Sequence, residues 1–180
     1  MVVVLGLSIR KSNFQEDRQA VFIERRLTMR NSVRLFVALW YLLGWLSHVY
    51  LGLFAPETYR PFGETALIPA YTDFWQSMVM PFITAFALGL AVFEVLVGCL
   101  LISKGNWVKT GLVFSILFNL FLVQMGLGYP ATDPWSNFLV NRLPNLLFIA
   151  LQVPLLWGRD EYSIPEVIRR RFFKTHTVNR

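Results

Sequence analysis

Charge is what this chain has least of. Asp, Glu, Lys and Arg make up 16% of its 180 residues, while 55% are hydrophobic and 16% aromatic; a soluble domain carries about a quarter charged residues. The shortage excludes an ordinary soluble enzyme and points to an all-α integral membrane protein. Cysteine is rarer still. A single residue, Cys99, excludes an internal disulfide and any Cys-X-X-Cys redox pair, and with them the four-helix membrane thiol oxidoreductases; Cys99 itself is expected as a buried structural thiol. Histidine occurs twice, at His48 and His176. A bis-histidine haem needs two histidines in the membrane, so haem enters only if another subunit supplies a ligand. No cluster of His, Cys and carboxylate has zinc-ligand spacing, so no metal is expected.

Long apolar runs are what the chain does have. About 20 helical residues span the hydrocarbon core, and four segments qualify, at about 35–54, 77–102, 107–128 and 139–157. They predict a four-transmembrane-helix bundle over 33–158, preceded by a basic extension at 1–32 and followed by a basic tail at 159–180. Before the first segment lie Arg10, Lys11, Arg18, Arg25, Arg26, Arg30 and Arg34, and between the second and third lie Lys104 and Lys109. After the fourth lie Arg159, Arg169, Arg170, Arg171, Lys174 and Arg180, leaving Arg60 and Arg142 on the other side. By the positive-inside rule both termini are cytoplasmic, in a multi-pass protein of the cell membrane. The net charge of +6 does not indicate nucleic acid, because the basic residues flank the spans and do not interleave with aromatics on one face. Attraction to anionic lipid accounts for them. Two readings of the first 28 residues stay open: translation from Met29, or a basic surface helix touching headgroups through Phe14, Val21, Phe22 and Leu27.

Within a membrane helix, small and polar residues mark the side turned toward protein. The first span offers Gly44, His48 and Gly52, the second Thr84, Ala87, Ala91, Glu94 and Gly98, the third Gly111, Ser115, Asn119 and Gly126, and the fourth Asn141, Asn145 and Gln152. The segment between the first two spans, with Pro56, Pro61, Pro69 and several aromatics, is expected to cap the outer end without forming a long helix.

Glu94 is the one charge between Met78 and Ser103. An ionisable group at that depth costs about 2.5–3.5 kcal/mol on insertion scales and is by default a functional candidate. A carboxyl in hydrocarbon with no cation beside it is held protonated, ready to donate to a quinone-type carbonyl or to exchange protons. Counting about 1.5 Å per residue from the cytoplasmic ends puts Glu94 about 12 Å in, near Gly44, Ser115 and Gln152, and His48 at about 20 Å, near Asn119 and Asn145 with Arg142 beyond. Two polar layers follow, an inner one of Glu94, Ser115 and Gln152 and an outer one of His48, Asn119, Asn145 and Arg142. The offset of about 8 Å keeps Glu94 from pairing with His48 unless a helix tilts or shifts.

Arg34-Leu35-Phe36 enters the first span and Ser47-His48 with Gly52 lies near its far end, while Glu94-Val-Leu-Val-Gly98 leads to Lys104-Gly105. Arg142-Leu143-Pro144-Asn145 opens the fourth, and Gly158-Arg159-Asp160-Glu161-Tyr162-Ser163-Ile164 follows it. Over roughly residues 33–170 this pattern resembles the DoxX-like membrane proteins, which include DoxD-type small subunits of terminal quinol oxidase and thiosulfate:quinone oxidoreductase; Pro165 departs from their usual ending. The resemblance implies a four-helix bundle working beside redox or transport partners.

The leading functional expectation is a small membrane subunit of a quinone-linked oxidoreductase, not catalytic alone, with quinone as the cofactor class that suits its interior and other subunits or further copies of itself as partners. The alternatives are a non-enzymatic lipid-binding or assembly protein and a proton-coupled small transporter using Glu94. Candidate site residues are Glu94, His48, Asn119, Asn145, Arg142, Ser115 and Gln152.

Overall fold

The computed structural model describes the backbone from Val2 to Phe173 and side chains from Thr28 to Arg170, and every regular element among the described residues is helical. Helix α1 runs from Val2 to Phe54, and its stretch Thr28–Phe54 is long and apolar enough to cross a membrane. The expected boundary at residue 32 therefore falls inside a continuous helix. Phe14, Val21, Phe22 and Leu27 lie outside the described side chains, and Lys174, His176 and Arg180 outside the described residues.

After α1 the chain makes a 3-10 turn at Pro56–Tyr59, then α2 (Arg60–Glu64) and α3 (Pro69–Phe74). Each of these pieces has a proline in its first turn, where the missing N–H leaves no bond unmade. The prolines thus prevent one long helix by starting several short ones. Helix α3 continues through a π-helical turn, Trp75–Val79, and a 3-10 turn, Met80–Phe82, into α4 (Ile83–Ile102). Pro81 explains the irregularity, because it offers no N–H to the carbonyl of Ser77 and its ring crowds that turn. The second span is the bent rod Pro69–Ile102, starting eight residues before the expected 77.

Helix α5 (Asn106–Met125) stops where Gly126 turns to φ 82°, a left-handed conformation suited to glycine. Gly126 is buried against Thr65 and Arg142, as its place in the packing stripe predicts, and it is also the helix terminator. The fourth crossing is broken: α6 (Pro134–Asn141) and α7 (Leu143–Gln152), extended by a 3-10 turn at Val153–Trp157, meet at a bend of 42°. Pro144 cannot donate to the carbonyl of Val140, which permits the break. By length and composition the fold has three membrane-crossing helices, and a fourth if this bent pair is one span.

The tightest pairing is α1 with α4. A Cβ on Gly52 would come within 2.6 Å of Ala87 Cβ and one on Gly98 within 2.6 Å of Leu42 Cγ, so both glycines let the backbones approach. Thr84 Oγ1 donates to Gly52 O across this seam at 2.9 Å. Large side chains such as Trp40, Leu43, Tyr50, Phe86, Leu96 and Leu117 point outward, as expected where hydrocarbon is the solvent. Cys99 is among the outward residues. It is not buried in protein as expected, because its side of α4 faces away from the neighbouring helices.

One end of the bundle is closed by ions. Arg30 donates to both oxygens of Asp160, Nε to Oδ1 at 3.1 Å and Nη2 to Oδ2 at 2.7 Å. Arg34 reaches the same carboxylate at 3.1 Å and donates to the carbonyls of Ser103 and Tyr162. Asp160 O in turn accepts from Gly105 N at 2.7 Å. Asp160, through its carboxylate and its backbone carbonyl, thereby joins α1, the α4–α5 turn and the segment after the fourth crossing. Arg34 and Asp160 are both buried.

Asp160→Ala would leave two guanidinium groups without their counter-charge. We expect a loss of about 3–5 kcal/mol, read as a lowered Tm in detergent; an unchanged Tm would mean that the clamp does not hold the fold.

Candidate functional site

Every seventh residue of α1 from Arg34 presents a polar group to the interior: Arg34, Tyr41 and His48. Two turns of helix separate successive members, so one face carries all three. Around the last two the structure builds a polar core.

His48 Nε2 lies 3.4 Å from Glu94 Oε1. The expected separation is overturned for a geometric reason. Side chains lean toward the N-terminus of their own helix, and α1 and α4 are antiparallel neighbours, so His48 leans down toward Glu94 while Glu94 leans up toward His48. The backbone levels themselves are as expected, since the carboxylate lies against Gly44, where a Cβ would come within 2.9 Å of Oε2. Glu94 is therefore not an isolated carboxyl but half of a carboxyl–imidazole pair, and it is 4% exposed.

The other face of the imidazole is engaged too. His48 Nδ1 is 2.7 Å from the hydroxyl of Tyr59, whose ring stacks on the imidazole. Tyr59 comes from the turn after α1 and is fixed by its own backbone, because Trp75 Nε1 donates to Tyr59 O at 2.9 Å. Gly63 makes room for that indole, since a Cβ there would meet Trp75 at 2.7 Å. Burial, with a smaller contribution from the Glu94 charge, pushes the Tyr59 phenol up to about 12. The hydroxyl thus keeps its proton at neutral pH and is available as a hydrogen-bond donor.

The chain Tyr59–His48–Glu94 has two proton arrangements. With Glu94 ionised, Tyr59 donates to Nδ1 and Nε2–H faces the carboxylate. With one proton added to the Glu94–His48 pair, Nδ1–H donates to the Tyr59 oxygen, and the phenolic O–H, still protonated, is free to turn toward another acceptor. Glu94 Oε2 has no hydrogen-bond partner among the described residues.

The remaining candidates divide differently from the expected layers. Ser115 Oγ and Asn119 Nδ2 both donate to Tyr41 OH, at 2.8 and 3.0 Å, so Asn119 belongs with Ser115 and not with His48. Arg142 leaves the core altogether. It bonds Asn137 Oδ1 at 2.8 Å and the carbonyl of Thr65, tying the fourth crossing to the first loop. Asn145 Nδ2 and Gln152 Oε1 are buried without partners among the described residues, and Gln152 Nε2 donates to Phe148 O in its own helix. The layers fail where the second span carries a π turn and the fourth is bent by 42°, and where a side chain reaches a level away from its own backbone.

Tyr41, Tyr59 and the Arg30–Arg34–Asp160 clamp were missed by sequence reasoning. The signal for Tyr41 was its seven-residue spacing from both Arg34 and His48, hidden because an aromatic in a span reads as lipid-facing. Nothing local announced Tyr59.

Beside this chain is an apolar groove of about 520 Å³. Its lining includes Trp75, Ile83, Phe86, Phe93 and Phe121, and Tyr59 itself. Tyr59 therefore borders both the buried ionisable pair and the groove. No protein family, curated protein or solved structure matches this chain.

Gly44→Ala should push the Glu94 carboxyl off His48, whereas Gly89→Ala, with open space around its Cβ, should not. The chain has two histidines, so isotope-labelled imidazole resonances read the contact directly. We expect the His48 signal to move in Gly44→Ala and to stay in Gly89→Ala; equal spectra would remove the pair.

Proposed function

We propose that this protein is a proton-transferring membrane subunit that serves quinone chemistry, working beside a redox partner and not catalytic alone. The observation that carries this reading is the polar path in which Glu94 Oε1 lies 3.4 Å from His48 Nε2 and His48 Nδ1 is hydrogen-bonded to Tyr59, on the wall of an apolar groove. Quinones are lipid-soluble and exchange protons whenever they exchange electrons, so they need an apolar bed with a proton donor or acceptor at its edge.

In this scheme a proton enters at the Tyr59 oxygen as the phenolic proton moves to His48 Nδ1, and the Nε2 proton moves to Glu94. One proton is taken up, and one is stored at the carboxyl. The unpartnered atoms Glu94 Oε2, Asn145 Nδ2 and Gln152 Oε1 are the polar points at which internal water would carry it onward. In this reading the redox partner carries the electrons and this chain carries the proton. With the basic end facing the cytoplasm, as the positive-inside rule indicates, the Tyr59 end of the path faces outward. The DoxX-like resemblance points to the same class of complex.

A second reading, a protein that holds lipid or stabilises a larger assembly, is favoured by one observation: the groove is lined almost wholly by apolar atoms. The two separate by experiment. Trp75 lines the groove, so a short-tailed benzoquinone should quench the protein's fluorescence saturably, and Trp75→Phe should remove most of that quench. In the complex isolated from native membranes, Glu94→Gln should lower quinol turnover by about 10²-fold or more, the range for a lost proton-transfer group, with Tyr59→Phe also impaired. Full turnover in Glu94→Gln would reject the proton-transfer reading, and linear, unsaturable quenching would favour the lipid-holding one.

A further inference from the structure

Helix α8 (Ile164–Phe173) follows the fourth crossing and touches α1. Its start is built firmly. Ser163 N and Oγ both donate to Glu166 Oε2, at 2.8 and 2.9 Å, and Glu166 N returns to Ser163 Oγ, a capping box. Those bonds, with Lys104 nearby, hold the Glu166 carboxylate below its usual range. Three residues earlier Asp160 is locked to Arg30 and Arg34. The helix is thus anchored at the level where α4 ends at Ile102 and the fourth crossing ends at Trp157.

At 100° per residue, Ile164, Val167 and Ile168 share one side of α8, and Glu166, Arg169 and Arg170 the other. Ile164 is buried, but Ile168 is 42% exposed. Arg169 and Arg170 are exposed, and Arg170 lies over the Tyr162 ring at 3.8 Å from its centroid. Lys104, Lys109 and Arg159 are exposed around the same end, together with Trp107 and Trp157. Exposed tryptophans at a span end mark the depth of the headgroups. An apolar side that emerges from the protein at Ile168, opposite a basic side, is the pattern of a helix lying in the membrane surface.

We propose that α8 is an in-plane surface helix whose arginines, with Lys109 and Arg159, bind the anionic headgroups of membrane phospholipids. Charge complementarity selects the occupant: this surface is cationic, and the leaflet it meets is the one that retains Lys and Arg. Each cation near an anionic surface raises partitioning roughly fivefold, and the attraction falls off within a Debye length. The proposal stands independently of the proton path.

The test uses the full chain in vesicles. In a Cys99→Ser background, Ile168→Cys carries an environment-sensitive fluorophore, and the vesicles are phosphatidylcholine alone or mixed with phosphatidylglycerol. We expect blue-shifted emission, shielded from an aqueous quencher, in the anionic vesicles only, with reversal by high salt. Adding Arg169→Gln and Arg170→Gln, both exposed, should reduce the anionic preference by about tenfold or more. Emission that is quencher-accessible in both lipids would overturn the proposal by showing that α8 stands off the membrane. Shielding in both lipids alike, or a preference unchanged in the double variant, would overturn headgroup binding.

Discussion

Burying charge in a low-dielectric interior is the constraint from which the rest of this fold follows. An unpaired ion there costs several kcal/mol even after relaxation, so each buried charge must be met from another part of the chain. Asp160 meets Arg30 and Arg34 at one end, and Glu94 meets His48 in the middle. Arg142, near the other end, has no carboxylate partner among the described residues and is satisfied by Asn137 Oδ1 and the Thr65 carbonyl. Each of these solutions joins segments far apart in sequence, and together they hold α1 and α4 in register with the broken fourth crossing.

The close seam between α1 and α4 makes the central pair possible. Gly44 removes the one side chain that would occupy the carboxyl's space, and Gly52 with Ala87 draws the helices together one level farther along. Antiparallel packing then turns two side chains that sit at different heights toward each other. Tyr59 completes the path because the turn after Phe54 folds back over the α1–α4 seam, held by Trp75 on its carbonyl. The irregular turn at Trp75–Val79, which Pro81 imposes, sits where that indole must reach Tyr59. Site and scaffold therefore share residues, and groove and ionisable pair meet at a single phenol.

Much of the architecture was legible before any coordinates. Apolar runs of span length identify the crossings, because a backbone in hydrocarbon must satisfy its own hydrogen bonds and a helix does so locally. The interior stripe was legible as well: Ala87, Ala91, Glu94 and Gly98 on α4, and Ser115 and Asn119 on α5, are buried where small and polar residues were expected to face protein. Thr84, on the same stripe, is exposed but bonds Gly52 across the seam. Where the reading failed, the cause was a length scale that sequence does not carry. Counting residues from a span end assumes straight, parallel helices, and neither the π turn before α4 nor the break at Arg142 is straight. Gly126 packs against protein as read, but its second role as a helix terminator depends on a φ of 82°, which spacing does not show. Cys99 was read as buried because hydrophobicity alone does not tell a protein interior from lipid.

The amino-acid sequence by itself determined that this chain carries apolar runs long enough to cross a membrane, roughly where they lie, where the basic residues cluster, and that Glu94 is the anomalous charge. Those properties follow from composition and from local helix geometry. Only the tertiary structure decided that Glu94 meets His48, that His48 meets Tyr59, and that Asp160 gathers two arginines from α1. These contacts depend on side-chain direction, helix tilt and close approach at glycine, which arise when helices pack and have no representation in the spacing of residues along one chain.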